Sequence, residues 1–169
     1  MIVRRVIDRS AAILLQPHLY FTCNDDFMDF GEGTVYAAIM GTLSVVLAIV
    51  MGGDTMLSGS LGLIPTLIIS PMVAVLGTFV MAGIIHVLCQ SLGSRSDFGD
   101  SFHVSASASV FIPISQVLSD FPLIVLSMGW AWWVVSRGVI HGHKVEPRRA
   151  EIVFGLLYIS LLMLSATAH

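Results

Sequence analysis

From Met56 to Gln90 the chain carries no Asp, Glu, Lys or Arg. That single run constrains the fold more than any other feature, because it is far too long for one perpendicular crossing of a bilayer and too apolar for a helix wetted on one side. Four more apolar windows accompany it. A crossing needs roughly 17–25 residues, and the windows predict spans at about 34–52, 67–90, 103–118, 121–137 and 151–168. Only 11% of the residues are charged and 56% are hydrophobic, against about a quarter charged in a soluble domain. The sequence therefore predicts an all-α, polytopic membrane protein: one transmembrane bundle over 17–169, preceded by a helix over 1–16.

Pro65 and Pro71 each favour a kink or a boundary, so Met56–Gln90 reads as one crossing or as two. The basic residues decide between them. They are Arg4, Arg5, Arg9, Arg95, Arg137, Lys144, Arg148 and Arg149. With one crossing there, the chain has five spans and all of these residues share a side; with two, Arg95 and the later cluster fall opposite the N-terminus. The positive-inside rule selects five spans, with the N-terminus in the cytoplasm and the C-terminus outside. Met56–Ile69 then becomes an outer-face or partly re-entrant approach to a span at 67–90. Asp54, Asp120 and His169 are left as the outer polar markers.

Ala11–Leu15 is a short apolar stretch stopped by Pro17, with no small-residue cleavage pattern behind it, so no cleavable signal is expected. At helical spacing Ile2, Val3, Val6, Ile7, Ile13 and Leu14 share one face, and Arg5, Asp8, Arg9 and Gln16 the other. This predicts an amphipathic helix in the cytoplasmic interface, with Arg4, Arg5 and Arg9 drawn to anionic lipid. Trp130, Trp132 and Trp133 precede Arg137 on the fourth window, which is the pattern of indoles at the headgroup level with an arginine reaching the surface.

The sequence offers little for chemistry. No carboxylates pair within a span, no acid is placed to orient a histidine as a triad needs, and no phosphate-cradling glycine loop is present. His141 and His143 lie at i, i+2, but a stable metal site needs more ligands than that spacing supplies. The chain reads as no enzyme and as binding no cofactor or metal, and its small net charge of −3 gives no footing for a nucleic-acid partner. Cys23 and Cys89 both fall on the predicted cytoplasmic side and are expected reduced. The intramembrane polar residues are His86, at the end of a small face built from Ala74, Thr78 and Ala82, and Ser105, Ser109 and Gln116 of the third window, with Pro113 among them. They read as packing and hydrogen-bonding groups, or as one wall of a polar pathway.

Several stretches resemble the Yip family, bacterial branch. "ILLQPHLYF" is similar to the family's leucine-leucine, proline and aromatic-pair approach to the first span. "LGSRSDFGDSFHVSASASVFIP" resembles its loop and third span, through Gly93, Phe98 or Phe102, Ala106 with Ala108, and Pro113. "SRGVIHGHKVEPRRA" resembles the loop before the last span, through Gly138, His143 and Ala150. The resemblance runs from about Ile13 to the C-terminus. It implies five spans, a cytoplasmic N-terminus and a non-enzymatic role in membrane organisation or partner recruitment. Eukaryotic members bind Rab-type GTPases and commonly carry a long cytoplasmic N-terminal extension that this sequence does not show, so Rab binding is not expected.

The function expected from these readings is an inner-membrane scaffold or adaptor. Its cytoplasmic face would meet acidic protein or anionic lipid through Arg95, Asp100, His143, Lys144, Arg148 and Arg149, and its partners would be other membrane proteins or further copies of itself. One alternative is a structural subunit of a larger respiratory or photosynthetic complex, docked through the small face Ala37, Gly41, Ser44 and Ala48. The other is a small transporter or channel lined by Thr78, His86, Ser105, Ser109 and Gln116.

Overall fold

A computed structural model describes residues 2–23, 28–52, 62–118 and 124–167. These contain eight α-helices and no strand: α1 (Ile2–Leu15), α2 (Pro17–Cys23), α3 (Phe30–Val50), α4 (Leu63–Ser91), α5 (Phe98–Ala108), α6 (Phe111–Leu118), α7 (Ile124–Gly142) and α8 (Pro147–Thr167). Among the described residues three stretches are long and apolar enough to cross a membrane. They are Phe30–Val50, Ile64–Ser91, and Phe98–Leu118, in which α5 and α6 are taken together.

Local chemistry sets the helix ends. Asp29 begins α3 by accepting the Glu32 N–H at 2.7 Å, and Asp97 begins α5 by accepting the Asp100 N–H at 3.2 Å; each occupies a backbone donor that the first turn leaves open. Pro113 explains why α5 and α6 are two helices. Its ring conflicts with the carbonyl four residues earlier, that of Ser109, and it offers no N–H. The chain answers with tighter three-residue turns, Ser109 N–H to Ala106 carbonyl at 3.1 Å and Ile112 N–H to Ser109 carbonyl at 3.0 Å. The Ser109 hydroxyl adds a 2.7 Å bond to the Ala106 carbonyl.

Helices run up and down against one another. Phe30 stacks near Phe79 while Gly41 meets Ala74 and Ser70, so α3 and α4 are antiparallel. Ser101 faces His86 and Ser105 bonds the Thr78 carbonyl, so α4 and α5 are antiparallel too. Arg137 meets Glu151 and Tyr158 reaches the Val125 carbonyl, which sets α8 antiparallel to α7. At the centre sits α5, buried from Ser101 through Ser107. Its small side chains let α3, α4 and α7 approach it. A Cβ on Gly33 would lie 3.1 Å from that of Ala106, and one on Gly138 would lie 2.8 Å from both Val104 methyls.

Two sequence expectations change here. The second crossing helix starts at Leu63 rather than 67, so residues 63–69 are continuous helix and not an approach loop. Pro65 is tolerated because it stands in the first turn, where its missing N–H would have had no helical partner. The rest of that predicted approach lies outside the described residues, as do Asp54, Asp120 and His169. The second change concerns the stripe Ala37, Gly41, Ser44 and Ala48, which is buried inside this chain. At Gly41 a Cβ would sit 2.5 Å from the Ala74 Cβ, so that face is taken by α4 and cannot dock a foreign helix. At the N-terminus, Pro17 ends α1 as expected but also opens α2 as its first residue.

Candidate functional site

One end of the bundle collects the N-terminal helices, the connection 92–97 and the connection 143–146. The contacts that join them are polar. The Ser94 hydroxyl donates to the His143 carbonyl at 3.0 Å, the Ser96 hydroxyl to the Gly142 carbonyl at 3.3 Å, and the Met28 N–H to His103 Nδ1 at 2.9 Å. Lys144 has φ 52, a left-handed turn that sends His143 inward and leaves Lys144 exposed.

A hydrogen-bond chain starts at the buried His143, which is 2% exposed, and runs outward. Because the Ser94 proton is used on the His143 carbonyl, His143 Nδ1 is the donor to the Ser94 oxygen at 3.4 Å. His143 Nε2 is then an acceptor, and the Ser101 hydroxyl donates to it at 3.0 Å. Ser101 in turn accepts from His86 Nδ1 at 3.3 Å, and His86 Nε2 accepts from Gln90 Nε2 at 2.9 Å. One assignment of protons fits all of these contacts. The chain staples three elements: α4 through His86 and Gln90, α5 through Ser101, and the connection 143–146 through His143.

The cationic residues divide into two sets. Arg4 pairs with Asp8 at 3.8 Å, Arg5 with Glu32 at 3.2 Å, Arg9 with Glu32 at 3.4 Å, Arg137 with Glu151 at 3.2 Å and Arg149 with Glu146 at 2.8 Å. Arg95, Lys144 and Arg148 are exposed and have no ion pair among the described residues. Arg95 and Lys144 lie on the two connections and Arg148 in the first turn of α8, all at the same end of the bundle. Asp100 lies in the first turn of α5, partly buried behind its cap.

A comparison with protein families decides what this bundle is: a model of the Yip1 domain matches residues 27–168. The chain belongs to the Yip1 domain family. Neither the curated proteins nor the solved structures give a match. The motif residues of this Yip1 domain stand at a turn (Gly93) and at packing or hydrogen-bonding positions (Ala106, Gly138, His143 and Ala150). Gly93 takes φ 89, Ala106 and Ala150 are fully buried, Gly138 touches Val104, and His143 holds the hydrogen-bond chain.

Other candidate residues of the Yip1 domain are also placed in contacts. Trp130 and Trp133 are exposed and pack at 4.7 Å, and Trp130 Nε1 donates to the Leu14 carbonyl at 3.2 Å, tying the end of α1 to α7. Trp132 turns inward toward Phe154 at 6.0 Å. Arg137 lies 5.4 Å from the Trp133 ring while it pairs with Glu151. Ser105 donates to the Thr78 carbonyl at 2.8 Å, and Thr78, Ser105 and Ser109 line a cavity of about 560 Å³ with Gly41, Met128 and Trp132. Gln116 is partly buried on α6. His141 and His143 have different partners: His141 packs edge-on to His18 at 4.9 Å, whereas His143 bonds Ser94 and Ser101. Among the described residues no three His, Cys, Asp or Glu side chains gather as a metal site.

Sequence reasoning missed the partners rather than the residues. Glu32 gathers two arginines, and Ser101 joins two histidines, yet nothing in local spacing shows that residues so far apart in the chain meet. The network carries a pH consequence. Burial pushes His143 down from 6.5 to about 4; the nearby His86 ring adds to that and Asp97 opposes it. The unfolded chain binds a proton at this residue below about pH 6.5 while the folded chain does not, so stability falls as pH drops from about 6.5 to about 4. The loss is up to about 3 kcal/mol. Thermal unfolding in detergent across that range is expected to show it, and His143→Gln, which keeps a donor and an acceptor without titrating, is expected to flatten the profile.

Proposed function

We propose that this Yip1 domain is a non-enzymatic scaffold or adaptor of the bacterial branch, set in the inner membrane, which recruits an acidic partner to its basic end. The observation that carries the reading is the charge distribution. Most basic residues at this end pair with a carboxylate, whereas Arg95 and Lys144 on the two touching connections, and Arg148 in the first turn of α8, are exposed and form no ion pair among the described residues. Lys144 adds a second argument. A non-glycine residue pays roughly 1–2 kcal/mol in the left-handed region, and a glycine there would make the same turn at less cost. A cation kept at that cost supports a role for its charge.

The topology in this reading has five crossings, made by α3, α4, the α5–α6 pair, α7 and α8. Support comes from their alternating direction and from the gathering of the N-terminal helices with both basic connections at one end. The positive-inside rule sets that end in the cytoplasm, with α1 in the interface against anionic lipid. Partners are other membrane proteins or further copies of the chain. The testing experiment is capture from the native membrane with tagged protein in mild detergent, at low and at high salt. A partner held at low salt and released at high salt is the expected result; one held at fixed stoichiometry in both would make the chain a subunit of a permanent complex and overturn the adaptor reading.

A further inference from the structure

A cleft of about 440 Å³ opens between α1 and the start of α3, lined by Arg5, Val6, Arg9, Glu32, Val35 and Tyr36. Tyr36, one of its walls, is held by a 2.8 Å bond to Ser10. Its chemistry is two-sided. Two guanidiniums share one carboxylate, Arg5 on one oxygen of Glu32 at 3.2 Å and Arg9 on the other at 3.4 Å. The group therefore keeps one net positive charge, and each guanidinium has five N–H donors, most of them unspent here. The contacts are longer than the roughly 2.7–2.9 Å of a tight charge-assisted bond, so the fork is held in place but not saturated. Neighbouring carboxylates are engaged elsewhere, Asp8 by Arg4 and Asp29 as the cap of α3. Beside this fork the walls are hydrocarbon, Val6 and Val35, and Val35 is exposed.

A fork with one spare positive charge beside an apolar trough matches an amphiphile with a monoanionic head. We propose that the cleft binds one glycerophospholipid, its phosphate on the Arg5 and Arg9 guanidiniums and the start of an acyl chain along Val6 and Val35. A soluble phosphate would use the fork and leave the trough empty; an uncharged lipid would do the reverse. The cleft holds a headgroup and a few methylenes rather than a whole lipid, and the remaining chain lies in the bilayer. The proposal rests on the interfacial placement of α1 and is independent of the basic connections and their partner.

Native mass spectrometry of the full chain in mild detergent tests it, titrating phosphatidylglycerol and, separately, diacylglycerol with the same chains. One phosphatidylglycerol is expected to bind about tenfold more tightly than diacylglycerol. Arg5→Gln with Arg9→Gln is expected to erase that difference, while Glu32→Gln, which frees the fork, tightens phosphatidylglycerol binding. Millimolar inorganic phosphate is expected to leave the lipid bound. Equal binding of the two lipids, full retention by the double variant, or displacement by phosphate overturns the site. Should the double variant fail to fold, Val35→Trp decides: it keeps both arginines and Glu32 but fills the trough, and undiminished lipid binding overturns the proposal. A spin label on the exposed Leu15 separates this failure from that of the underlying placement. A label in water means that α1 is not interfacial, which overturns both; a label in lipid, with no effect of the arginine variants, overturns the site alone.

Discussion

Gly41→Leu is expected to destabilise the bundle by about 3 kcal/mol or more, a drop of roughly 6–12 °C in the unfolding midpoint for a chain of this size. Even a methyl at Gly41 would sit 2.5 Å from the Ala74 Cβ and 3.2 Å from the Ser70 carbonyl oxygen. The Ser70 hydroxyl also donates to the Gly41 carbonyl at 3.1 Å, which fixes the approach of α4 at this level. Neither backbone can retreat without losing that bond and the packing around it. Gly77 supplies the control, since a Cβ there meets nothing within 4 Å, and Gly77→Ala is expected to leave the midpoint unchanged or slightly raised. Thermal unfolding followed by size-exclusion chromatography in detergent reads both. Equal effects at the two glycines would contradict the α3–α4 contact.

Reversing charge at the open positions carries the second large effect. Arg95→Glu, Lys144→Glu and Arg148→Glu together are expected to lower partner capture by about tenfold or more, because like charges facing an acidic surface cost several kcal/mol. Arg149→Glu alone is expected to do much less, since Glu146 already holds Arg149 at 2.8 Å. All four side chains are exposed, so insertion and folding should survive every change. The contrast between the triple variant and Arg149→Glu is the informative readout, and quantitative co-purification at low salt measures it. Equal losses would mean that bulk charge matters and not the unpaired set.

Much of this architecture is legible from the order of residues. Apolar windows at 34–52 and 103–118 overlap α3 and the α5–α6 pair, because hydrophobicity over a bilayer's thickness is a local property. The break at Ser109 and Val110 was implicit in Pro113, whose steric demand acts within one turn. The start of α4 was not legible, since Pro65 signals a boundary equally well from just outside a helix or from its first turn, and only the fold chooses. The helical wheel put Arg9 on the polar face drawn to anionic lipid, but not against Glu32, where its side chain is 12% exposed. Likewise Ser101 was readable as a small polar residue, but not as the bridge between His86 and His143, which converge from distant parts of the chain. Side-chain partners between helices depend on rotation and register, and neither is written in local spacing.

The most direct test of the central claim is side-specific labelling of single cysteines by a membrane-impermeant maleimide in intact cells and inverted membranes, with Cys23 and Cys89 replaced by Ser. Met51 at the far end of α3 is exposed, as are Arg95 and Lys144. Arg95→Cys and Lys144→Cys are expected to react only from the cytoplasmic side, and Met51→Cys only from the outside. Labelling of Arg95→Cys or Lys144→Cys from the outside, or of Met51→Cys from the cytoplasm, would contradict a basic end that faces the cytoplasm.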